Sequence, residues 1–235
     1  MSTITYRPYA PRDAEGVMAI LLDAFNIRRY APRPHLERSA AEVFLSECLL
    51  ASTYAQVAVA TDDAPDDDEA PGTERIMGVI MGRVEDETPL PCRPLARADM
   101  LASLTWLATV GMPQRGLLMQ ALNLKHRYAE LCQDVLDTGV AALTDEVTLL
   151  AVHSACRGQG VGSRLYDGFM EHLREHGRTD FFLRADSLCD YEFCESRGMA
   201  RAAAREQQLD VPGLPRRVGA YLYAGEVPEA APASA

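Results

Sequence analysis

Residues Leu149–Leu173 read LLAVHSACRGQGVGSRLYDGFMEHL. An apolar run ends in a loop with glycines at 158, 160 and 162, and Val161, Leu165, Phe169 and Leu173 then recur at helical spacing. A strand that runs through a tight turn into a helix aims the first backbone N–H groups of that helix at one point. Those donors and the helix dipole favour phosphate oxygens, and glycine lets a ligand come close because no Cβ intervenes. The other reading is a turn that only lets helix and sheet pack closely. Two familiar phosphate loops do not fit. A dinucleotide fingerprint needs a third glycine where Ser163 stands, and a Walker loop needs a lysine between Gly162 and Ser163.

The rest of the chain bounds the problem. It has 235 residues, 48% hydrophobic and 24% charged, with a net charge of −11, which is ordinary globular composition. No basic stripe offsets the acidity, so neither nucleic acid nor an anionic membrane is an expected partner. The acidity tolerates a cationic substrate such as an amine. Six cysteines without a CxxC pair point to reduced thiols, and no metal site is expected. The N-terminus lacks a secretory pattern, and the longest uncharged run, Met100–Gln114, is short for a bilayer. The expected location is the cytoplasm.

Periodicity predicts a strand at Ile4–Arg7, a helix from about Asp13, and a second helix at Ser39–Leu50. Strands at Tyr54–Ala60 and Arg75–Val84 follow, joined through an acidic stretch, Asp62–Glu69, read as a solvated hairpin tip. Pro94–Thr138 is helical, broken at Gly111–Pro113. Its seam of Leu117, Ala121, Leu124, Tyr128, Leu131 and Val135 either packs on its own domain or forms a subunit contact. Glu146–Val152 and Asp180–Ala185 are strands, and Ser187 with Asp190 reads as a capping box for a short helix ending at Gly198. Arg201–Leu209 and Arg217–Tyr223 form an antiparallel hairpin. Residues 1–228 are read as one domain and 229–235 as a tail.

Arg157–Gly162 matches [QR]-x-x-G-x-[GA]. Together with YEFCESRGM at Tyr191–Met199 and YRPYAPRDAEGVMAILLDAF at Tyr6–Phe25, it resembles the GNAT N-acetyltransferase superfamily. The resemblance covers roughly Thr3–Arg83 and Thr144–Tyr223, with 94–138 as a helical insertion. It implies an α/β fold: a mixed, largely antiparallel sheet flanked by helices. It also implies acyl transfer from acetyl-CoA to an amine by direct attack in a ternary complex, without a metal. The backbone of Leu150, Ala151 and Val152 would pair with pantetheine. The amides of Gly158, Gln159, Gly160, Val161, Gly162 and Ser163 would hold the pyrophosphate, with Arg157 setting the loop. Ser187 stands at the family's usual asparagine.

Glu146 lies eleven residues before Arg157, where some members carry a general base. It is read either as that base or as a strand-end carboxylate in solvent. The family's usual acid, a tyrosine, falls on Cys194, with Tyr191 one turn earlier as a substitute. Equally, the thiolate leaves unaided and Cys194 is packing. His153 is read as an ordinary polar contact. The missing tyrosine keeps a second reading open, a non-catalytic CoA-binding module. The insertion is assigned to the acceptor pocket or to a homodimer contact.

Overall fold

The computed structural model describes residues 3–31, 33–61, 74–117 and 144–229, with 119, 126, 129, 130, 132–134 and 137 between them. The acidic stretch Asp62–Glu69, the tail beyond Glu229 and the seam positions Ala121, Leu124, Tyr128, Leu131 and Val135 lie outside the described residues.

Seven strands form one sheet in the order β1-β2-β3-β4-β5-β7-β6. They are β1 (Thr3–Pro8), β2 (Tyr54–Thr61), β3 (Glu74–Arg83), β4 (Glu146–Val152), β5 (Asp180–Asp186), β6 (Ala200–Gln208) and β7 (Arg217–Glu226). Every neighbouring pair is antiparallel except β4 and β5, which are joined by a helical crossover and run parallel. The helices are α1 (Ala14–Ala24), α2 (Ile27–Tyr30), α3 (Pro34–Ala51), α4 (Arg93–Val110), α5 (Val161–Glu175) and α6 (Glu192–Ser196).

Both faces of the sheet centre are covered, which is why β2, β3 and β4 read as apolar runs. On one face Val17, Ile20 and Leu21 of α1 and Leu45 and Leu49 of α3 pack on Val57, Val79, Met81, Leu149 and Ala151. On the other, the stripe Val161, Leu165, Phe169 and Leu173 of α5 packs on Ile80, Val147, Phe181, Leu183 and Tyr223. The helix sits close because β3 carries Gly82 beneath it: a Cβ there would fall 2.2 Å from the Phe169 ring.

The expected α/β architecture holds, with local differences. The second helix starts at Pro34, where proline's missing N–H costs nothing in the first turn. The capping box at Ser187 does not form. The Ser187 hydroxyl accepts the Gly219 N–H at 3.0 Å and its own N–H donates to Gly219 C=O, so a tie to β7 takes the group a helix cap would use. The short helix instead begins at Glu192.

Beyond β3, α4 lies on α3, burying Ala96, Ser103 and Leu107. The Ser103 hydroxyl donates to Glu42 at 2.5 Å. Later in the insertion, Cys132 packs against Phe182 and Leu222, and Arg205 of β6 bonds Asp134. Phe182 alternates with Phe181 and Leu183, which face α5. Cys132 and Asp134 of the insertion therefore lie over the β5–β7–β6 side of the face that α1 and α3 cover over β2–β4.

Candidate active site

The site begins with an irregularity in β4. Met81 pairs with Leu149 and Gly82 with Val147, leaving Thr148 as a bulge. The bulge is held from α3, where the Ser52 hydroxyl meets the Thr148 hydroxyl at 2.7 Å. Bulged strands bend, and β4 leaves its parallel neighbour at once. The two pair only at Glu146 with Phe182 and Val147 with Leu183. Past that point their facing main-chain edges open into a cleft that ends at the glycine loop.

Which groups face the cleft follows from alternation. The His153 N–H donates to Met77 C=O on the β3 side. Ala151 therefore turns its amide groups toward β3, and Leu150 and Val152 turn theirs into the opening. Of Leu150, Ala151 and Val152, expected to pair with an extended ligand, Leu150 and Val152 turn their backbone groups away from β3 and Ala151 turns its groups toward it.

The loop is built around two left-handed residues. Gly158 has φ +75° and Gly160, which caps α5, has φ +80°. A Cβ at either would meet nothing within 4 Å, so glycine is needed there for conformation, and the space outside the loop is open. At Gly162 the requirement is room: a Cβ would lie 3.2 Å from Val152 Cγ2. The cradle and packing readings of these glycines thus divide by position. The first intrahelical bond closes from Arg164 N–H to Gly160 C=O, so the amides of Gly160–Ser163 open the helix as its unpaired donors. Upstream, His153 Nδ1 accepts the Ala155 N–H, a local cap. Arg157 donates from Nε to Val152 C=O at 3.4 Å and lies 3.9 Å from Asp23, whose carboxylate also accepts the Ser154 N–H.

Glu146, at the narrow end of the cleft, is 3% exposed, so the reading of a strand-end carboxylate in solvent does not hold. Its Oε1 accepts from Arg184 Nη2 at 2.6 Å and Nε at 2.8 Å, and its Oε2 lies 3.3 Å from Arg83 Nη2. Cys194 is 5% exposed in the core beneath α5, and burial pushes its thiol up to about 11. Tyr191 caps α6 with its ring 5.5 Å from Tyr221, and the Arg201 guanidinium lies 5.5 Å above it.

Asp186 and Tyr30 were not singled out from sequence. Asp186, 8% exposed, ends β5 and accepts the Leu188 N–H at 2.8 Å. Burial, with Asp186 and Cys189 nearby, pushes the Tyr30 phenol up to about 12, and its hydroxyl has no hydrogen-bond partner among the described residues. No local pattern marks this pair, because α2 and the end of β5 meet only in the folded chain.

A sheet that splays beside a glycine-started helix, with helices on both faces, is the architecture of GNAT-type folds. Residues 128–193 match the family model described as Acetyltransferase (GNAT) family, a span that includes β4, the loop, α5 and β5. Among solved structures it is similar to an agmatine N-acetyltransferase (14% identity, TM-score 0.51, covering 95% of this chain and 99% of that one). It is also similar to an N-acetyltransferase from Staphylococcus aureus Mu50 (12%, TM-score 0.50, 97% and 100%). A third is Arabidopsis thaliana NAA60 in complex with a bisubstrate analogue (11%, TM-score 0.50, 95% and 98%). At these identities the likeness is one of fold. A search of curated proteins found no match. No helix among the described residues is long and apolar enough to cross a membrane.

Proposed function

We propose that the protein is an acyl-CoA-dependent N-acyltransferase that moves an acetyl group from acetyl-CoA to a primary amine in a ternary complex. The observation that carries this reading is the opening of β4 from β5 after two residue pairs, directly before a helix started by left-handed glycines. An amide-bearing arm fits the free edge at Leu150 and Val152 as an added strand. The pyrophosphate fits the unpaired amides of Gly160–Ser163, while the Gln159 N–H, expected to join them, is taken by Cys156 C=O at 3.3 Å. A ligand amide that pairs with Val152 C=O displaces Arg157 Nε and frees that guanidinium for phosphate.

In the reaction the amine nitrogen attacks the thioester carbonyl, the C–S bond breaks and coenzyme A leaves as a thiolate. The amine must first lose a proton, since a free ammonium has a pKa of roughly 10.4. Glu146 is the carboxylate assigned to that proton, held in place by Arg184 and Arg83. The Leu150 N–H is placed to polarise the carbonyl. Cys194, neutral and buried, is assigned to packing, and the half-buried Tyr191 is the remaining phenol for the leaving thiolate. Asp186 and Tyr30 supply a negative and a hydrogen-bonding group for a cationic acceptor.

The clamp on Glu146 and the burial of Cys194 favour one second reading, a CoA-binding module without turnover. Thermal melting with acetyl-CoA, CoA and NAD, followed by CoA release across an amine panel, separates the outcomes. Stabilisation by the CoA ligands with release on one class of amine supports the enzyme. Stabilisation without release on any acceptor supports the module, and no shift with either CoA ligand overturns both.

A further inference from the structure

His172 and His176 stand one turn apart on α5 and its C-terminal end, and Glu87 reaches them from the segment that follows β3. Glu87 Oε1 is 3.0 Å from His172 Nε2 and 3.8 Å from His176 Nε2, and all three donor atoms lie within 4.8 Å of one another. The His176 Nδ1 is 2.8 Å from the His172 carbonyl oxygen. A carbonyl only accepts, so Nδ1 carries the hydrogen and Nε2 is the ring nitrogen left facing Glu87. The other carboxylate oxygen of Glu87 lies 3.2 Å from His172 Nε2. The His172 ring is set between Tyr54, at 4.6 Å, and His176, at 4.3 Å.

We propose that Glu87, His172 and His176 form a binding site for a first-row divalent cation of the zinc class, completed by water. Zinc bonds of about 2.0–2.1 Å in tetrahedral geometry place neighbouring donors about 3.3 Å apart. The two separations to Glu87 Oε1 lie on either side of that value, so small rotamer adjustments close the site. Two imidazoles and one carboxylate suit zinc, cobalt or nickel and not magnesium or calcium, which prefer all-oxygen shells. A plain His172–Glu87 ion pair accounts for the shorter contact. A second imidazole, oriented from behind by the His172 carbonyl, brings its Nε2 to the same oxygen and completes a set of three donor atoms within 4.8 Å. The site is about 20 Å along α5 from the glycine loop at 1.5 Å per residue. Its ion is structural, stapling the end of α5 to the segment that leads into α4. The motif was present in the sequence as His-x-x-x-His, the i, i+4 spacing that puts both rings on one helix face.

The test uses the full chain, without an affinity tag, stripped by chelator and melted with Zn²⁺, Co²⁺ or Mg²⁺. At a hundredfold excess over its dissociation constant, Zn²⁺ raises the midpoint by roughly 5–10 °C, and Mg²⁺ does not. His176→Ala and Glu87→Gln abolish the shift, whereas His126→Ala keeps it. Co²⁺ gives the visible absorption of a tetrahedral site in the parent and not in His176→Ala. Should His176→Ala fold poorly, the more conservative His176→Gln replaces it, because that ring is 39% exposed. No shift with Zn²⁺ in the parent, or an equal shift in the Glu87 and His176 variants, overturns the site. None of these readouts depends on acyl transfer.

Discussion

At Glu146 one carboxylate serves two guanidinium groups, Arg184 through Oε1 and Arg83 through Oε2, and its substitution therefore has two separable effects. Glu146→Gln keeps the shape and removes the charge. As general base it is worth about 10²-fold in kcat/KM for the amine. The guanidinium groups keep part of their solvent, so the lost pairing costs only about 1–2 kcal/mol of stability. Steady-state kinetics and a denaturant melt read these independently, and full activity in Glu146→Gln removes the residue from catalysis. Cys194 differs in kind. Its thiol is raised from 9.0 to about 11 by burial, so the folded state favours the protonated form. That stability is fully present below pH 9 and is lost as pH rises through about 11, on the order of 2 kcal/mol. Relative to the parent, Cys194→Ala is expected to flatten the alkaline limb of the stability profile while leaving turnover near neutrality unchanged. A collapse of turnover would return the thiol to the role of acid. The sequence located Glu146 by its distance from the glycine loop and Cys194 by the family resemblance of Tyr191–Met199, counted back from Gly198. It did not reveal the clamp, because Arg83 and Arg184 come from the strands on either side of β4.

Elements were more legible than contacts between them. β4 lies at Glu146–Val152 as its apolar run predicts, and α5 buries the stripe its periodicity marks. Where a distant partner decides, local rules fail, as when Gly219 takes the hydroxyl that would have made Ser187 a helix cap. The glycines show the same division and can be tested as a pair. Gly160→Ala puts a side chain at φ +80° with nothing to strike, so it strains the turn by about 1 kcal/mol and moves the amides. Acetyl-CoA affinity is expected to fall about tenfold with a small change in melting temperature. Gly82→Ala drives a Cβ into the Phe169 ring, an overpacking cost of about 1–3 kcal/mol, while the loop keeps its conformation. A melting series and calorimetric titration with acetyl-CoA check both. Equal losses of affinity in the two variants would deny the loop its separate role. The first glycine announces itself by motif; the second is visible only once β3 and α5 are packed.

Across the molecule, the sheet face opposite α5 is covered by different parts of the chain, and among the described residues of the insertion a charge cluster at Arg205 ties it to β6. Arg205 of β6 donates to Asp134 from Nη2 at 2.6 Å and Nε at 2.9 Å, and its Nη1 lies 3.3 Å from Glu130. Cys132, between those acids, packs on Phe182, which pairs with Glu146 where the cleft begins. The helical character of the insertion was readable, but its seat was not: nothing in the local pattern couples Asp134 to an arginine on the far strand. If this segment closes the amine side of the cleft, loosening it should affect one substrate only. Arg205→Ala is expected to raise KM for the amine several-fold and leave the acetyl-CoA dissociation constant unchanged, because the glycine loop lies on α5 across the sheet. A double-mutant cycle with Asp134→Asn should return a coupling of about 0.5–1 kcal/mol for a half-exposed pair whose two donors share one carboxylate oxygen. Parallel changes in both substrates would mean the pair supports the whole sheet, and unchanged kinetics would place the amine elsewhere.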